Sequence, residues 1–575
     1  MKESRAALLK IISSILYLTR QGLAIRGHTD NNSNIKQLLK LRSNDSLELD
    51  SWLSRTTYKW TSHEIQNEIV SLLSQYVQSN LIHQIKISKY FSIIMDETMD
   101  NTCQEQVSVC FRIVDHNLNV SELFLGFFKT ESTDALTLFT LVSNILIKFN
   151  LSLSDCRGQC YDGAANVSGH ITGLQKRILD IEKRAIYVHC VAHTLNLVVQ
   201  DGMMSVDRSR DFLAMIRSII VFVRCSPKRQ AIFNALQNEQ ELNSQSLRPF
   251  CPTRWCMRVK SLKTLYYNYA VLIKFLDNIS KERSENGAKA SGFLKQLFKY
   301  EFLFYTKIMI NIFERVELLN AELQKISLNF HEVKIKIKHI ISSIEQQRES
   351  GFDDLWLEIS TKARELNIKE PNDQRTIKKP KKFIQNSEQY SPPLALSIKD
   401  KFKCIYYEII DVTVSALNGR FQQNVIDHLC SLEKFVIGED RHINVVIEFY
   451  GSDFNRDKLI LHRDMFLDIA KSRDVSIKSL QDALNFIKSD NLCDMLSEFS
   501  KLLQIMLIIP VSSCTAERSF SALRRLKTFL RSTMTQNRLN DIAILHVHRN
   551  EEVDIEKVAN TFINKAKVRQ NTFAL

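Results

Sequence analysis

The sequence of 575 residues predicts an α/β fold, in which a mixed β-sheet with flanking helices is interrupted by a large all-α insertion domain. Three observations predict it. Runs of strand length, rich in β-branched and aromatic residues, follow one another between residues 90 and 129 and then alternate with helical patterns. Helical periodicity alone fills the chain from about 262 to 490. Glycine (14 residues) and proline (8 residues) are rarer than the ~7% and ~5% of ordinary proteins, which disfavours an all-β architecture.

The elements of the predicted core follow in a definite order. Residues 1–85 are mostly helical, and the strongest helical period lies in His63–Ile87. Three strands with short polar links, typical of an antiparallel meander, are then predicted at Tyr90–Met95, Val107–Val114 and Ser121–Lys129. Helices and strands alternate after them: a helix at Asp134–Phe149, a strand at Arg157–Tyr161, a helix at Leu174–Lys183 and a strand at Ala185–Cys190. The order βββαβαβ is that of an RNase H-like core.

These changes of pattern divide the chain into four parts. We predict an N-terminal helical region (1–85), a first part of the core (86–264), a helical insertion domain (265–490) and a C-terminal part of the core (491–575). Within the insertion, the segment Glu370–Pro393 breaks the helical pattern and is predicted to be an exposed linker. Its basic run Lys378-Lys379-Pro380-Lys381-Lys382 is typical of a nuclear localisation signal, and a solvated loop is the alternative interpretation.

Composition limits the class of protein and of partner. Lysine and arginine (77) exceed aspartate and glutamate (64), which gives a net charge of +13 and a pI near 9.0. Such a surplus suits a polyanionic partner such as nucleic acid, although many basic proteins bind none. The 12 cysteines are too scattered for a disulfide scaffold and include no C-x2-C pair, so we expect a reduced, intracellular protein without the commonest zinc half-site. No apolar run approaches the ~20 residues that span a bilayer, so we expect no membrane partner.

Two acidic residues follow predicted strands of the core. Asp96 ends the run Phe91–Met95, and Asp162 leaves the strand at Tyr161 and enters a turn of small residues. In βββαβ topology the first and fourth strands are neighbours, so the two carboxylates should converge at one edge of the sheet. Carboxylates that share a site repel each other unless cations lie between them, and two divalent metals there would activate water against a phosphodiester. Taken singly, each aspartate is more simply a helix cap or a turn residue.

A third carboxylate lies on a predicted helix near the C-terminus, which Pro510 separates from the element before it. We expect Ser512, Ser513 or Thr515 to cap this helix and Glu517 to project towards the metals. The residues at helical spacing on the same face are Ser521, Arg524, Thr528 and Arg531, of which the arginines would contact phosphates. Residues 518–540 contain six basic side chains and no acidic one, and a solvated basic helix is the alternative interpretation.

These blocks resemble the hAT superfamily of transposases. The resemblance also rests on Cys190-Val-Ala-His193-Thr-Leu-Asn-Leu197, on Thr253-Arg254-Trp255 and on Ala516-Glu517-Arg518-Ser519-Phe520-Ser521. The similarity is greatest to the branch with zinc-finger MYM-type protein 1-like and TTF-type zinc-finger proteins, through Arg20-Gln-Gly-Leu-Ala-Ile-Arg26-Gly27-His28 and Tyr161-Asp162-Gly-Ala-Ala-Asn166. It covers the chain from about Ala6 to Asn550, and several ordered blocks make it specific.

The resemblance implies a function and a set of site residues. It implies an RNase H-like catalytic domain whose DDE triad is Asp96, Asp162 and Glu517, with Mg²⁺ or Mn²⁺ as the metal ion that these three residues hold. Such enzymes cut DNA beside terminal inverted repeats by hydrolysis and strand transfer, and we expect a nuclear location. The side chains implied at the DNA are Cys190, His193, Arg254, Trp255, Arg518, Arg524 and Arg531. No zinc is expected at Cys190 and His193, for which a buried structural pair is the alternative, and Trp255 would stack on an unpaired base unless it belongs to the core.

One departure from the family pattern affects the predicted activity. Family members commonly carry a BED-type or TTF-type zinc finger before the catalytic domain, and this sequence contains no such Cys/His finger. An active transposase is therefore one expectation, and a domesticated, catalytically inactive protein that dimerises and associates with DNA or chromatin is the other. A cytosolic helical scaffold would require the ordered motif blocks to be a coincidence.

The resemblance also implies a C-terminal dimerisation region. Two groups of apolar residues lie there, one at 502–509 and one formed by Leu539, Ile542, Ala543, Leu545 and Val547. We expect part of this surface to be buried against a second chain in a homodimer or higher oligomer. The alternative is that all of it packs on the sheet of its own chain.

Overall fold

The computed structural model describes residues 2–27, 32–56, 58–239, 247, 258–326, 330–371, 397–421, 424–439 and 442–573. Arg254 and Trp255 lie outside the described residues, and so does the linker predicted at Glu370–Pro393 apart from its first two residues. The chain divides into two compact units. The first comprises Met1–Val191, Ile326–His331 and Asn424–Leu575, and the second comprises Ala192–Lys325 and Glu332–Gln423.

Before the first strand, the described residues of the first unit form the helices α1 (Lys2–Arg20), α2 (Asn34–Ser43), α3 (Leu47–Leu53) and α4 (His63–Ser88). Helix α1 is amphipathic, and its buried face includes Leu8, Ile11 and Ile15. The hydroxyls of Ser33 and Ser46 accept hydrogen bonds from backbone amides in the first turns of α2 and α3, as N-caps do. These helices pack on one another and form part of the core of the first unit.

A five-stranded sheet lies at the centre of the first unit, with strands β1 (Phe91–Met99), β2 (Glu105–Val114), β3 (Val120–Thr130), β4 (Cys156–Tyr161) and β5 (Ile186–His189). Their spatial order is β3-β2-β1-β4-β5, and β1, β2 and β3 form an antiparallel meander. Strands β4 and β5 continue the sheet in parallel with β1. The predicted mixed sheet with flanking helices is therefore confirmed.

Helices join the last three strands: α5 (Ala135–Phe149) connects β3 to β4, and α6 (Ala165–Ser168) and α7 (Leu174–Ile181) connect β4 to β5. Asp134 caps α5, because its Oδ1 accepts hydrogen bonds from the amides of Leu136 and Thr137 at 3.0 and 2.9 Å. Asn150 ends α5 in the left-handed conformation (φ 51°), which asparagine tolerates better than most residues. These caps fix the crossover that places β4 beside β1.

The second unit is built from long helices, and its described residues contain no strand. Helix α8 (Val191–Ser205) leads into it from the end of β5, and α15 (Phe330–Glu365) has its first two residues in the first unit. The other helices are α9 (Asp207–Arg224), α10 (Pro227–Glu239), α11 (Arg258–Tyr267), α12 (Tyr269–Ser280), α13 (Glu285–Leu297), α14 (Tyr300–Leu323) and α16 (Ile398–Phe421). Aromatic pairs hold this core, such as Phe212 with Phe302 and Phe304 with Phe402, at ring-centroid distances of 5.0 and 4.9 Å.

The chain then returns to the first unit, whose described residues from Asn424 onward form the helices α17 (Asn424–Val436), α18 (Ile443–Tyr450), α19 (Arg456–Ser472), α20 (Leu480–Ser489), α21 (Ser497–Ile508), α22 (Cys514–Leu526), α23 (Gln536–Val547), α24 (Ile555–Asn564) and α25 (Lys567–Phe573). Helix α21 packs on β2 and β4, and α22 packs on β1, β2 and β3. Helix α23 packs on β3 and on α4. The C-terminal segment thus completes the sheet domain that the first third of the chain begins.

This packing corrects the expectation about the apolar C-terminal residues, apart from Val547, which is half-buried. Residues 502–509 are buried apart from the half-buried Gln504, and in α23 Leu539, Ile542, Ala543 and Leu545 are buried within the same chain. Leu545 is only 1% exposed in the single chain, so it contacts its own sheet domain and has no surface left for a partner. Of the described helices, none combines the length and the apolar character that crossing a bilayer requires.

Candidate active site

The parallel strands β1, β4 and β5 end side by side, and this edge carries the predicted site. Ile94 of β1 pairs with Cys160 of β4, so Asp96 and Asp162 each lie two residues beyond that pair. On the next strand Tyr161 pairs with His189, and Cys190 follows, with its amide donating to the Tyr161 carbonyl at 2.9 Å. The carboxyl ends of parallel strands are where α/β proteins commonly place their reactive groups.

Asp96 lies inside β1, although the sequence had placed it just after the strand, because β1 continues to Met99 against β2. It is opposite Ser108 and half-buried, and its Oδ1 accepts a hydrogen bond from the Glu97 amide at 3.0 Å. Burial raises the pKa of Asp96 well above its usual range, and the negative charges of Glu517 and Asp162 raise it further. The structure therefore brings the three predicted carboxylates, from β1, from the loop after β4 and from α22, close enough for their charges to interact.

The loop after β4 positions Asp162. Its Oδ1 accepts a hydrogen bond from the Ala164 amide at 3.0 Å, and its carbonyl oxygen accepts one from the Tyr187 hydroxyl at 3.0 Å. The next residue, Gly163, leaves no space for a side chain, because a Cβ there would lie 2.6 Å from Cε1 of His189. The small-residue turn seen in the sequence thus serves close packing of the loop on β5.

Helix α22 positions Glu517 in its first turn, half-buried at its start. Three contacts join this start to the sheet edge: Val191 N to Val511 O (3.1 Å), Ser513 N to Cys190 Sγ (3.2 Å) and Ser108 Oγ to Ser519 Oγ (2.7 Å). Ser513 occupies the N-cap position, but its hydroxyl does not cap the helix. Thr515 also departs from the predicted capping role, because its hydroxyl donates to the carboxylate of Glu122, which is itself held by the buried Arg112.

The Cys190 thiol lies at the junction of these elements with two other buried thiols, those of Cys160 and Cys514. Hydrogen bonds from these two thiols and from the Ser513 amide lower the pKa of Cys190 well below its usual range. The thiol is thus enclosed between β4, β5 and α22. His193 is half-buried in the first turn of α8, within the second unit. A role for either residue at DNA stays a prediction.

Glu97 is a fourth carboxylate at this edge, and the sequence analysis missed it. Burial, followed by the charges of Asp162 and Glu105, raises the pKa of Glu97 to about 7. Glu97 and Glu105 lie on the same face of the β1–β2 pair, since Glu97 is opposite Val107. The signal available in the sequence was the adjacency of two acids, Asp96-Glu97, at the end of an apolar run.

The structure places two of the three arginines predicted near Glu517 on α22 and the third on another element. Arg518 and Arg524 are exposed on α22, and Arg524 lines a small surface cavity with Thr98, Asn101, Phe520 and Lys527. The single face predicted from Glu517 to Arg531 is wrong, because α22 ends at Leu526, where Lys527 turns inward to an ion pair with Asp100. Arg531 instead lies in a short 3-10 helix (Phe529–Arg531) and donates to the Gly22 carbonyl at 3.0 Å.

The chemistry of the carboxylates fits a hard divalent cation, since oxygen ligands are what Mg²⁺ and Mn²⁺ prefer and since burial, and then the charges of Glu517 and Asp162, raise the pKa of Asp96. Within the described part of the chain, however, no three His, Cys, Asp or Glu side chains are already arranged to hold a metal ion. Metal binding here therefore requires the carboxylates to approach one another more closely than they lie in the structure.

Three protein-family models match the chain. Residues 1–173 match the ZMYM1/FAM200 RNase-like domain, residues 188–291 match the ZBED1 RNase-like helical domain, and residues 468–551 match the hAT family C-terminal dimerisation region. Two similar proteins carry the name 52 kDa repressor of the inhibitor of the protein kinase. The human protein is 22% identical over 98% of this chain and 76% of its own length, and the mouse protein is 22% identical over 98% and 77%. The three matched regions and the five-stranded sheet agree with the resemblance that the motif blocks indicate.

Proposed function

The chain is a hAT transposase-like protein, and from this premise we propose that it cleaves DNA and transfers strands in a metal-dependent reaction. The observation that carries the proposal is the interaction of Asp96 with Glu517 and Asp162 across three separate elements. A carboxylate with a strongly raised pKa that lies among other carboxylates at a sheet edge is typical of a functional site. The match to an RNase-like domain model covers Asp96 and Asp162 and supports their assignment to a nuclease site.

In this proposal Asp96, Asp162 and Glu517 hold Mg²⁺ or Mn²⁺. A divalent cation bound there supplies Lewis-acid activation of water and stabilises the leaving oxygen of a phosphodiester. Each carboxylate is presented by a different element, and the hydrogen bonds of Asp96 to the Glu97 amide and of Asp162 to the Ala164 amide hold two of them in orientation. Glu97, with a pKa near 7, is able to take up or release a proton at neutral pH beside Asp162.

The arginines on α22 would contact the DNA backbone. Arg518 and Arg524 lie exposed on the helix that carries Glu517, and in this proposal their guanidinium groups contact phosphates. The net charge of +13 supports a polyanionic partner. The hAT dimerisation match supports a homodimer or higher oligomer, and both the DNA partner and the family suggest action in the nucleus.

A non-catalytic function is the alternative, and the arrangement of the possible metal ligands favours it. No group of three ligands among the described residues is preformed for a metal ion, and the two relatives are named as repressors. A non-catalytic protein that dimerises and associates with DNA or chromatin would keep the fold without needing the carboxylates.

A cleavage assay separates the two functions. The chain is incubated with a supercoiled plasmid that carries the genomic flanks of its own gene, in Mg²⁺, in Mn²⁺ and in EDTA. The nuclease proposal expects nicked or linear plasmid only with a divalent cation, and expects Asp162→Asn and Glu517→Gln to abolish it while DNA binding is kept. Asp468→Asn, at an exposed position of α19, is the matched control. Binding of the plasmid without metal-dependent cleavage would instead support the non-catalytic function.

A further inference from the structure

An arginine-lined cavity of about 700 Å³ opens on the first unit, formed by two segments from opposite ends of the chain. One wall is the loop Leu23–Gly27, with Asn34 and Asn67 beside it, and the other is the segment from Arg525 to Ile542. Four arginines line it, namely Arg26, Arg525, Arg531 and Arg538, and three threonines add hydroxyl groups. None of the described residues that line the cavity is an aspartate or a glutamate.

Neutral acceptors hold two of these arginines in place. Arg26 Nη2 donates to Asn67 Oδ1 at 2.8 Å and to the His63 carbonyl at 3.2 Å, and Arg531 Nη1 donates to the Gly22 carbonyl. These contacts orient the two guanidinium groups through neutral acceptors, and Glu64, which does not line the cavity, offsets part of the Arg26 charge. The described lining of the cavity therefore carries an excess of positive charge, which Glu64 and Asp541 offset only in part.

Two nitrogen atoms at this cavity are buried without a hydrogen-bond partner: Arg26 Nε and Arg538 Nη1. Burial, together with the positive charges of Arg26 and Arg531, lowers the pKa of Arg538 to about 10, and the nearby Asp541 opposes this only in part. Asp541 also accepts hydrogen bonds from Ser71 and Ser74, so its carboxylate does not interact with Arg538 alone. A buried guanidinium with a vacant donor is unfavourable for folding and is typical of a site that an anion completes.

We propose that this cavity binds a phosphate group through Arg26, Arg531 and Arg538, with Arg525 at its exposed rim. The fork of guanidinium donors matches the oxygens of a phosphate, and several arginines around one cavity favour a phosphate over a single carboxylate. The phosphate belongs either to a DNA backbone or to a free nucleotide. The DNA source rests on the proposed function, whereas the nucleotide source is independent of it.

Thermal denaturation tests the site without any activity. Tm is measured in EDTA with inorganic phosphate and with chloride at matched ionic strength. We expect phosphate to raise the Tm of the wild-type protein and to leave that of Arg538→Gln unchanged. Arg538→Gln removes a partly buried charge that Asp541 offsets only in part, so the variant should fold with a Tm in chloride close to that of the wild type. Arg525→Gln, at an exposed position, is the second variant and should show a reduced phosphate response, while Arg456→Gln on the exposed face of α19 is the matched control and should respond like wild type.

Two binding measurements in EDTA distinguish the sources. Fluorescence anisotropy with a labelled DNA duplex should show about tenfold weaker binding for Arg538→Gln and a salt slope smaller by about one, if the phosphate belongs to DNA. Calorimetry with ATP and GTP should show binding that Arg538→Gln weakens about tenfold, with unchanged DNA affinity, if the phosphate belongs to a nucleotide.

The proposal is overturned if the wild-type protein, Arg538→Gln and Arg525→Gln show the same change in Tm with phosphate and the same affinities for DNA and for nucleotides. Because EDTA removes divalent metal from these measurements, metal binding by the carboxylates at the sheet edge plays no part in them. Loss of cleavage with a retained phosphate response would therefore contradict the proposed nuclease alone, and a lost response with retained cleavage would contradict the phosphate cavity alone.

Discussion

Lys527 and Asp100 form an almost fully enclosed ion pair, with Nζ of Lys527 2.5 Å from Oδ2 of Asp100. The pair joins the end of α22 to the turn that follows β1, and Asn101 Nδ2 adds a hydrogen bond to the Lys527 carbonyl at 2.8 Å. Since α22 carries Glu517 and β1 carries Asp96, the ion pair fixes the relative position of the two elements that present these carboxylates.

Replacing Lys527 with Met should destabilise the first unit. The variant leaves the Asp100 carboxylate buried without its cation, and we expect a loss of about 3–5 kcal/mol in the free energy of unfolding. Urea denaturation at pH 7 measures it. Lys471→Met, at a largely exposed position on α19, should change the free energy of unfolding by no more than about 0.5 kcal/mol. Equal effects of the two substitutions would show that the ion pair contributes nothing.

The same pair should make the protein sensitive to acid. Burial alone would raise the pKa of Asp100, but hydrogen bonds from Lys527, Thr102 and Gln104 hold it well below its usual range. Because the folded-state pKa is lower than the unfolded value of about 3.9, this stability is complete above pH 4 and is lost as the pH falls towards the folded-state pKa. Denaturation curves from pH 7 down to pH 2 should show a smaller acid loss for Lys527→Met than for wild type. If the free energy of unfolding of both proteins fell equally with pH, the lowered pKa of Asp100 would not come from Lys527.

Replacing Asp96 with Asn should stabilise the metal-free protein. The folded-state pKa of Asp96 is raised by burial and by Glu517 and Asp162, so the stability of the fold decreases as the pH rises from the unfolded pKa to the folded one. At pH 7 we expect Asp96→Asn to gain about 1 kcal/mol in the free energy of unfolding in EDTA. Calorimetry with Mg²⁺ or Mn²⁺ should show a rise in Tm for wild type and none for the variant. The same metal response in both proteins would exclude Asp96 as a ligand.

Replacing Gly163 with Ala should disturb the loop that carries Asp162. The added Cβ would lie 2.6 Å from Cε1 and 2.7 Å from Nε2 of His189, so the ring or the loop must move. We expect a loss of about 1–3 kcal/mol in the free energy of unfolding and a weaker metal response in calorimetry. The matched control is Gly419→Ala in α16, where a Cβ meets no atom within 4 Å and the change should be neutral or stabilising. A fully stable Gly163→Ala protein would show that the contact is easily relieved.

The dimer should form through residues that the single chain leaves exposed. Within the region that matches the hAT dimerisation model, Phe529 and Leu530 are 88% and 80% exposed, in contrast to the buried Leu545. We expect Phe529→Asp to weaken association at least tenfold, because a charge at the centre of an apolar contact is desolvated without a partner. Sedimentation velocity at micromolar concentration measures it, with Leu461→Asp on exposed α19 as the control. A wild-type protein that stays monomeric would rule this interface out.

The strands of the sheet could be predicted from the sequence because local residue patterns determine where each strand lies. The strands are apolar runs of the right length, and the topology that follows from their order places Asp96 beside Asp162. Glu97 was missed because its raised pKa depends on how far β1 extends along β2. The end of α22 at Leu526 depends on the ion pair of Lys527 with Asp100, and the arginine cavity depends on Arg26 meeting Arg538. Such contacts join residues hundreds of positions apart, and no local pattern encodes them.

The division of the sheet domain between the two ends of the chain has a consequence for biosynthesis. A ribosome makes β1 to β5 first and then the whole of the second unit, and only afterwards α21, α22 and α23. Until then the apolar faces of β1, β2 and β3 lack the helices that cover them, and Asp96 and Asp162 lack Glu517. A nascent or truncated chain that lacks these helices therefore has an open sheet that is prone to aggregation or chaperone binding, and the protein acquires its complete set of carboxylates only after the second unit and α22 have been made.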